Sequence, residues 1–534
     1  MVRRGFIRFA ALASVVALAA SACSSGATPT PSAPTTGTAT PTPAAVAPTP
    51  TPGQLVTPAT NQPTIMINGV EHVVVQWFVG LGSGTNPSQI TLEQLVVNDF
   101  NAAQDKKPSG TNGDPIYLSL NIVQNTTATD ILKTQLAANN APDIVGPVGV
   151  KGRAAFEGVW ADITPLATKA GFDLTQYDPN VLKLLSTNGV LDGFPYAVYP
   201  SFIFFNKDLF DEAGLAYPPQ KVGDKYTVKG AEAAAVFGVA DGAQVDWSWD
   251  NVRKLAMLLS VDKNGKDATE TGFDPANQVQ FGFDFMWSEG RRMGSDFGSG
   301  SFVAADGKTA QFPDAWKAAW TWYYNGIWTD HFIANATEEG STLLASGNPP
   351  SSGHEAMAEM FQWYDCCMSA SATAASKTIK KWDIAIQPSY QGTITAPMDM
   401  DVFSITKASK DPQDAFTALA YIAGRGDLSA SYGGIPLVGD QLTFYHTYID
   451  AMLKPEFPLI YANGGDVDWQ VAIDMEKYAP AIHHEAAMPN YVKSMDDYSK
   501  IWTTLGTTSG LDMNTVFSQV VTALQADFNE QATP

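Results

Sequence analysis

The sequence of 534 residues predicts an α/β fold in two domains. From residue 71 onward, runs of buried-strand character alternate with amphipathic helical runs, and this alternation is typical of sheets flanked by helices. The chain is also longer than the roughly 250–300 residues at which a single hydrophobic core stops growing. We therefore expect two lobes, each with its own sheet and its own covering helices.

The N-terminus has the pattern of an export signal. Arginines between residues 3 and 8 precede the apolar stretch Phe9–Ala20, which is shorter than the roughly 20 residues that span a bilayer. The sequence Ala20-Ser21-Ala22-Cys23 is similar to a lipoprotein cleavage site. We assign residues 1–22 to a lipoprotein signal peptide and expect a lipid on Cys23. The arginines are also similar to a twin-arginine motif, so the export route stays open.

Residues 23–64 are rich in proline, threonine and alanine. Such a segment cannot bury enough apolar surface to offset its ordering entropy, and its prolines keep it extended. We expect a solvated tether that holds the folded body on the outer face of the cell membrane. This layout suits an anchored receptor and an anchored hydrolase equally well.

The charge balance excludes one class of partner. Lys and Arg number 32 against 54 Asp and Glu, a net charge of −22, so nucleic acid is not an expected ligand. Aromatic residues make up 11% of the chain, including 13 Trp, which suits a neutral polar ligand stacked on rings, although Trp is also ordinary core material. The adjacent Cys366 and Cys367 are either two small buried side chains or a vicinal disulfide.

The first lobe begins with a valine-rich strand over residues 71–79. The loop Gly80–Asn86 follows, with a glycine spacing that differs from the dinucleotide-binding pattern G-x-G-x-x-G. Loops at the carboxyl edge of a parallel sheet bring backbone close to ligands, and we take Ser83 in this loop and Trp77 on the strand as ligand candidates. We expect Asp143 to be structural. The other predicted elements are a helix over 91–103, a strand over 116–123, a helix over 129–138 and a strand over 142–145.

The chain is organised around residues 196–205, whose β-branched and aromatic side chains predict a buried strand. Asn206 stands at an N-cap position, and Gly214 is placed to end the helix that follows. Residues 217–245 look like an insertion with a hairpin strand at Tyr226. A strand over 280–285 leads to Trp287. Further helices are expected over 248–259, 316–328 and 513–528, with Trp320 and Tyr324 in the core.

Several segments together resemble a known family. They are Gly193–Leu215, Gly158–Leu166, the helix start Ser248-Trp249-Asp250, Gly353–Tyr364, Trp382–Pro388, Lys407–Ala415 and Ser431–Pro436. In this order they resemble the extracellular solute-binding proteins of ABC importers, the group that includes maltodextrin-binding proteins.

The resemblance implies a periplasmic-binding-protein-like fold of type II, with two lobes joined by three hinge crossovers. The proposed crossovers are the strand at 196–205, Met398–Ile405 and Ser431–Pro436. The lobes would then comprise residues 65–198 with 402–432, and 199–401 with 433–534.

The same resemblance implies a receptor that captures a carbohydrate between the lobes and delivers it to the transmembrane subunits of an importer. Tyr199, Trp287, Trp363, Asp399 and Tyr432 fall at or near its ligand-facing positions, with Asp401 as an alternative to Asp399. We expect a monomer without catalytic residues, cofactor or metal.

Two alternatives remain open, an anchored glycoside hydrolase and a receptor for a non-sugar ligand on the same scaffold. A hydrolase needs a carboxylate pair or a nucleophile with its base. The sequence contains no G-x-S-x-G. His354-Glu355 is followed by Ala358 where a zinc protease motif needs histidine.

Overall fold

The structure is a computed structural model. It describes residues 63–82, 87–106, 115–149, 152–153, 155–177, 179–187, 189–286, 289–345, 348–364, 368, 379, 381–425, 428, 435–436, 467–480 and 488–530. The proposed signal peptide and nearly all of the proposed tether lie outside these residues. Among the helices of the described ranges, none combines the length and the apolar character that a membrane crossing requires.

The first part of the body has the predicted alternation of strands and helices. Its elements are β1 (Thr64–Ile67), β2 (Val70–Val79), α1 (Pro87–Gln104), β3 (Ile116–Ile122), α2 (Asn125–Ala137), β4 (Ile144–Gly149), α3 (Ile163–Ala170), α4 (Pro179–Leu184), β5 (Ser186–Thr187) and β6 (Val190–Leu191). Strand β2 lies between β3 and β4 and runs parallel to both. Helix α1 begins four residues before the predicted start, at Pro87, because proline fits the first position of a helix.

Asp143 has the structural role expected of it. Its Oδ2 atom accepts the backbone N–H of Gln76 at 2.9 Å, and its Oδ1 atom accepts the hydroxyl of Ser409 at 2.6 Å. The carboxylate therefore joins β2 to the segment after the second crossover.

The central element is β7 (Phe194–Asn206), which is buried along its whole length. It ends where the sequence indicates, because the Asn206 side chain accepts the backbone N–H of Asp208 and caps α5 (Lys207–Ala213). That helix stops at Gly214, whose φ of 69° suits glycine. The predicted strand, cap and helix are all confirmed.

The second part of the body contains more helix. Its elements are β8 (Tyr226–Thr227), α6 (Ala231–Phe237), β9 (Gln244–Val245), α7 (Trp249–Leu258), β10 (Val261–Asp262), β11 (Gln278–Gln280), β12 (Asp284–Phe285), α8 (Gly290–Phe297), α9 (Asp314–Trp328), α10 (Ala336–Glu339), β13 (Met357–Phe361), β14 (Trp382–Ala385), β15 (Ser389–Tyr390), β16 (Thr393–Ile394), β17 (Met398–Ile405), α11 (Pro412–Ala423), β18 (Ile435–Pro436), α12 (Gln470–Met475), α13 (Tyr491–Thr507) and α14 (Met513–Asn529). Strands β8 and β9 pair antiparallel, which confirms the strand predicted at Tyr226, but helix α6 lies between them and they do not form a hairpin. Trp320 and Tyr324 are buried, as expected.

The prediction of a single strand over 280–285 is wrong, because the chain there forms two short strands, β11 and β12, with a break between them. The break lies at Gly282, where a Cβ atom would come within 1.9 Å of the carbonyl oxygen of Ala256. The backbone at Gly282 thus packs directly against α7. Alternation of side chains in the sequence carries no information about such a backbone contact.

Strand β7 joins two hydrophobic cores. Its first half pairs with β17 and β18, and its second half pairs with β13 and β14, all antiparallel. The smaller core contains Tyr199 of β7, whereas Phe202 already belongs to the larger core. On the second crossover the change of core falls between Ala396 and Met398. The chain thus passes from one core to the other on adjacent strands.

Candidate functional site

The candidate site begins on the ribbon formed by β7 and β17. Asp399 is the cross-strand partner of Tyr199, and Asp401 is the partner of Ala197. Since side chains alternate along a strand, Tyr199, Asp399 and Asp401 share one face of the ribbon. The Tyr199 hydroxyl donates a hydrogen bond to Oδ2 of Asp401 at 2.9 Å. The register shifts directly after Asp401, which is the kind of irregularity that re-aims side chains.

Trp363 reaches the same face from the other core. It lies in the short helical turn Gln362–Tyr364 that follows β13, and its indole N–H donates to Oδ2 of Asp399 at 2.9 Å. Its ring packs against residues of both cores. Trp363 therefore connects the larger core to the crossover ribbon.

The four side chains differ in exposure. Tyr199 is only 3% exposed, whereas Asp399, Asp401 and Trp363 are half-buried. The Asp401 carboxylate accepts from the Tyr199 hydroxyl and the Asp399 carboxylate accepts from the Trp363 indole, so both carboxylates act as acceptors on this face. The face therefore presents carboxylate acceptors and aromatic surface together, which suits a ligand with hydroxyl groups and apolar faces.

A buried polar network supports this face from the larger core. The guanidinium of Arg292 on α8 forms an ion pair with the carboxylate of Glu359 on β13 and also donates to the carbonyl of Met286 at 2.9 Å. Burial raises the pKa of Glu359, and the positive charge of Arg292 opposes that rise. The guanidinium lies 4.5 Å from the ring centroid of Phe361, two residues before Trp363.

The same network reaches the crossover through Gln387. Its side-chain amide donates to the Ser201 hydroxyl at 2.9 Å and to Oε1 of Glu359 at 3.1 Å. The backbone N–H of Ser201 in turn donates to the carbonyl of Pro397 at 3.0 Å, which ties the two crossovers together. The sequence reasoning missed these residues, although a lone acidic residue inside the buried strand β13 was a signal for an ion pair.

The structure brings together three of the predicted ligand residues, Tyr199, Trp363 and Asp399, and places Asp401, the alternative to Asp399, on the same face. Trp77 lies elsewhere in the smaller core, fully buried, with its indole N–H donating to the carbonyl of Gly146 at 2.7 Å. The other predicted positions lie outside the described residues. They are Ser83, Trp287, Tyr432, the lipidation candidate Cys23 and the pair Cys366 and Cys367.

One group of carboxylates in the described ranges has oxygens close enough to share a metal ion, namely Glu232, Asp267 and Glu270. Two of the three are exposed at the surface, and Asp267 instead accepts the backbone N–H and hydroxyl of Thr269. The neighbouring Asp262 accepts the backbone N–H groups of Asn264 and Lys266, as in an ordinary turn.

Solved structures show the same fold. An ABC substrate-binding protein from Listeria monocytogenes, in complex with cycloalternan, matches with a TM-score of 0.61 at 15% identity, over 85% of this chain and 98% of that chain. A solute-binding protein from Thermotoga lettingae, bound with α-D-tagatose, matches with a TM-score of 0.58 at 15% identity, over 85% and 100%. The sugar-binding protein MalE from Xanthomonas citri matches with a TM-score of 0.58 at 14% identity, over 85% and 97%.

These likenesses establish a mixed α/β fold of the periplasmic-binding-protein-like, MalE type, with sheet flanked by helices. No match was found among curated protein sequences. The model of the family described as bacterial extracellular solute-binding protein matches residues 96–425, which is more than half of the sequence and includes the crossover β7, the Trp363 turn and β17. The chain therefore belongs to the bacterial extracellular solute-binding protein family.

Proposed function

We propose that this protein is the receptor of an ABC importer for a carbohydrate, which it binds at the junction of its two cores. The observation that carries the proposal is the convergence of Tyr199, Trp363, Asp399 and Asp401 on one face of the crossover ribbon. Rings stack on the apolar faces of sugars, and carboxylates accept hydrogen bonds from their hydroxyl groups. The sugars named in the matched structures support this ligand class.

Because the site contacts both cores, ligand binding can favour closure of the two lobes. Trp363 packs on both cores and bonds to the ribbon, so a ligand that lies across Trp363 and the ribbon contacts both lobes at once. Such a ligand binds the closed arrangement more strongly than the open one, and binding then shifts the population toward closure. The importer's transmembrane subunits would recognise that closed form.

The remaining features complete the proposal. The receptor is a monomer held on the outer face of the membrane by a lipid on Cys23 and by the tether at 23–64. Its lobes are residues 65–198 with 402–432, and 199–401 with 433–534. Trp77, Ser83, Trp287 and Tyr432 stay as further ligand candidates. The protein works without chemical turnover.

The test is a thermal-shift screen of the folded body against sugars, polyols, amino acids and metal ions. A ligand that binds only the folded state raises its melting temperature, and we expect sugars to do so by several degrees. Turnover of any sugar glycoside would contradict the receptor assignment. A shift produced by amino acids or metals alone would contradict the carbohydrate assignment.

A variant of Trp363 ties the function to this site. Trp363→Phe keeps a ring but deletes the indole N–H that positions Asp399, so affinity for the best sugar should fall by about 10-fold, or about 1.4 kcal/mol. Trp328→Phe is the matched control. That indole is also half-buried and donates to a carbonyl, that of Leu505 at 2.7 Å, on a helix of the larger core. Equal affinities of the two variants would show that Trp363 is not a ligand residue.

A further inference from the structure

We propose that Ser201 anchors β7 and the second crossover to the larger core, so that closure of the lobes bends these two crossovers at Pro200 and directly after Pro397. This inference rests on the proposed function, because it names the residue that positions the closing motion. Ser201 is fully buried, so it acts through the crossover strands and not by touching the ligand. It is a positioning residue for closure.

Ser201 stands at the boundary between the two cores. On β7 the smaller core extends to Tyr199 and the larger core begins at Phe202, so Ser201 lies between them. Pro397 occupies the same place on the second crossover, directly before β17. The backbone N–H of Ser201 donates to the carbonyl of Pro397 at 3.0 Å. A contact that fixes Ser201 therefore fixes both crossovers at the level where the chain changes cores.

The larger core holds Ser201 by its side chain. The amide of Gln387 donates to the Ser201 hydroxyl at 2.9 Å and to Oε1 of Glu359 on β13 at 3.1 Å. Gln387 is itself fully buried, and its backbone N–H donates to Sδ of Met475 on α12 at 3.2 Å. Satisfied buried networks of this kind rigidify the elements that they join. Ser201 is therefore tied to two elements of the larger core through one side chain.

The backbone ladder is weaker on the side of the smaller core. Pro200 is the cross-strand partner of Met398, and proline has no N–H, so Pro200 cannot donate a ladder hydrogen bond to β17. Pro397 on the facing strand lacks the same donor. Prolines inside a sheet mark places where the ladder is interrupted. A bend costs least where few backbone bonds must distort, so the anchor and the two prolines together place the hinge.

A fixed pivot lowers the cost of closure. When the ends of the hinge are held, the unliganded lobes differ mainly by one bending motion, and a ligand has little else to order. Loss of the Ser201 hydroxyl releases the crossovers from the larger core, and ligand binding must then order them as well. Affinity should therefore fall although no ligand contact has been removed.

Native-state hydrogen exchange of the unliganded protein tests the anchor. Ser201→Ala and Gln387→Met each delete the bond between the two side chains. In both variants the protection of residues 199–203 and 396–400 against exchange should fall by about 5-fold relative to wild type. A loss confined to these two segments distinguishes a released hinge from general destabilisation, which would lower protection throughout the larger core.

Ser260→Ala is the matched control. Ser260 is also fully buried, but its hydroxyl donates at 2.8 Å to the carbonyl of Ala256 on the adjoining helix α7, away from the crossovers. The control should leave the protection of both hinge segments unchanged. Affinity for the best sugar, measured by calorimetry, should fall by about 3- to 10-fold in the two hinge variants and stay at the wild-type value in the control.

The outcomes separate this inference from the receptor function. Unchanged protection of the two segments in Ser201→Ala and Gln387→Met, or an equal loss throughout the larger core, would show that Ser201 does not anchor the hinge. Unchanged affinity for a sugar that binds the wild-type protein would show that the anchor does not position closure, while the receptor function stands. If no sugar binds, the carbohydrate function fails, and the exchange result alone decides whether the hinge is anchored at Ser201.

Discussion

Replacing Arg292 with methionine should destabilise the protein by about 3–5 kcal/mol at pH 7.5, the usual cost of removing one partner from a buried ion pair. Arg292 is 4% exposed and Glu359 is fully buried, so the carboxylate left behind has no solvent to replace its partner. Two hydrogen bonds to the carbonyls of Met286 and Glu359 are lost as well. Glu359→Gln should cost less, because Asp296 still lies close to the guanidinium.

The loss in Arg292→Met should also depend on pH. Burial already raises the pKa of Glu359, and removing the positive charge raises it further. The folded variant then holds a proton that the unfolded chain has released, so its free energy of unfolding rises as the pH falls. Urea unfolding followed by tryptophan fluorescence should show a smaller loss at pH 5 than at pH 7.5.

The control for this experiment is Lys317→Met. Lys317 pairs with Asp314, their side chains are 40% and 96% exposed, and breaking a pair so open to solvent should cost at most about 1 kcal/mol at either pH. A loss in Arg292→Met within about 1 kcal/mol of wild type, or an equal loss at pH 5 and pH 7.5, would refute the reasoning.

Two further predictions concern the same lobe. Gly282→Ala places a Cβ atom 1.9 Å from the backbone oxygen of Ala256, so it should lower the free energy of unfolding by about 1–3 kcal/mol or more. The control Gly506→Ala, whose Cβ atom has its nearest neighbour at 3.7 Å, should not lower the melting temperature. Equal melting temperatures of the two variants would contradict the contact. Burial, together with the charge of Glu339, raises the pKa of Asp284 to about 8. The folded state therefore holds a proton that the unfolded chain has released, and the free energy of unfolding should fall as the pH rises from about 4 to about 8. Asp284→Asn should flatten this fall in melting temperature, and parallel curves for variant and wild type would show that another group causes it.

The crossover strand could be predicted from sequence because its signals are local. Ten consecutive positions from Tyr196 carry mostly aromatic and β-branched residues, and Asn206 and Gly214 mark the helix that follows. Each of these features acts through the residue's own backbone or its near neighbours. The family resemblance assigned Tyr199 and Asp399 to ligand-facing positions, but it did not predict that they pair across β7 and β17.

The support of the site could not be predicted, because its contacts join distant residues. Arg292 and Glu359 lie 67 residues apart, and Gln387 meets Ser201 across 186 residues. The periodicity of side chains along a helix or strand gives no information about such distant pairs. The break at Gly282 escaped prediction for the same reason, since it depends on a backbone contact with Ala256 on another element.

The pairing of β7 with β17 also constrains how the chain is made. The hydroxyl of Tyr199 meets Asp401 across 202 residues, and the smaller core is completed by residues as late as Leu428, which follows α11. The smaller core therefore cannot form completely while the larger core is being synthesised, even though most strands of the smaller core are synthesised first. The edge of β4 that later pairs with β17 stays unpaired through that interval, which leaves the early chain open to aggregation or proteolysis until β17 has been synthesised.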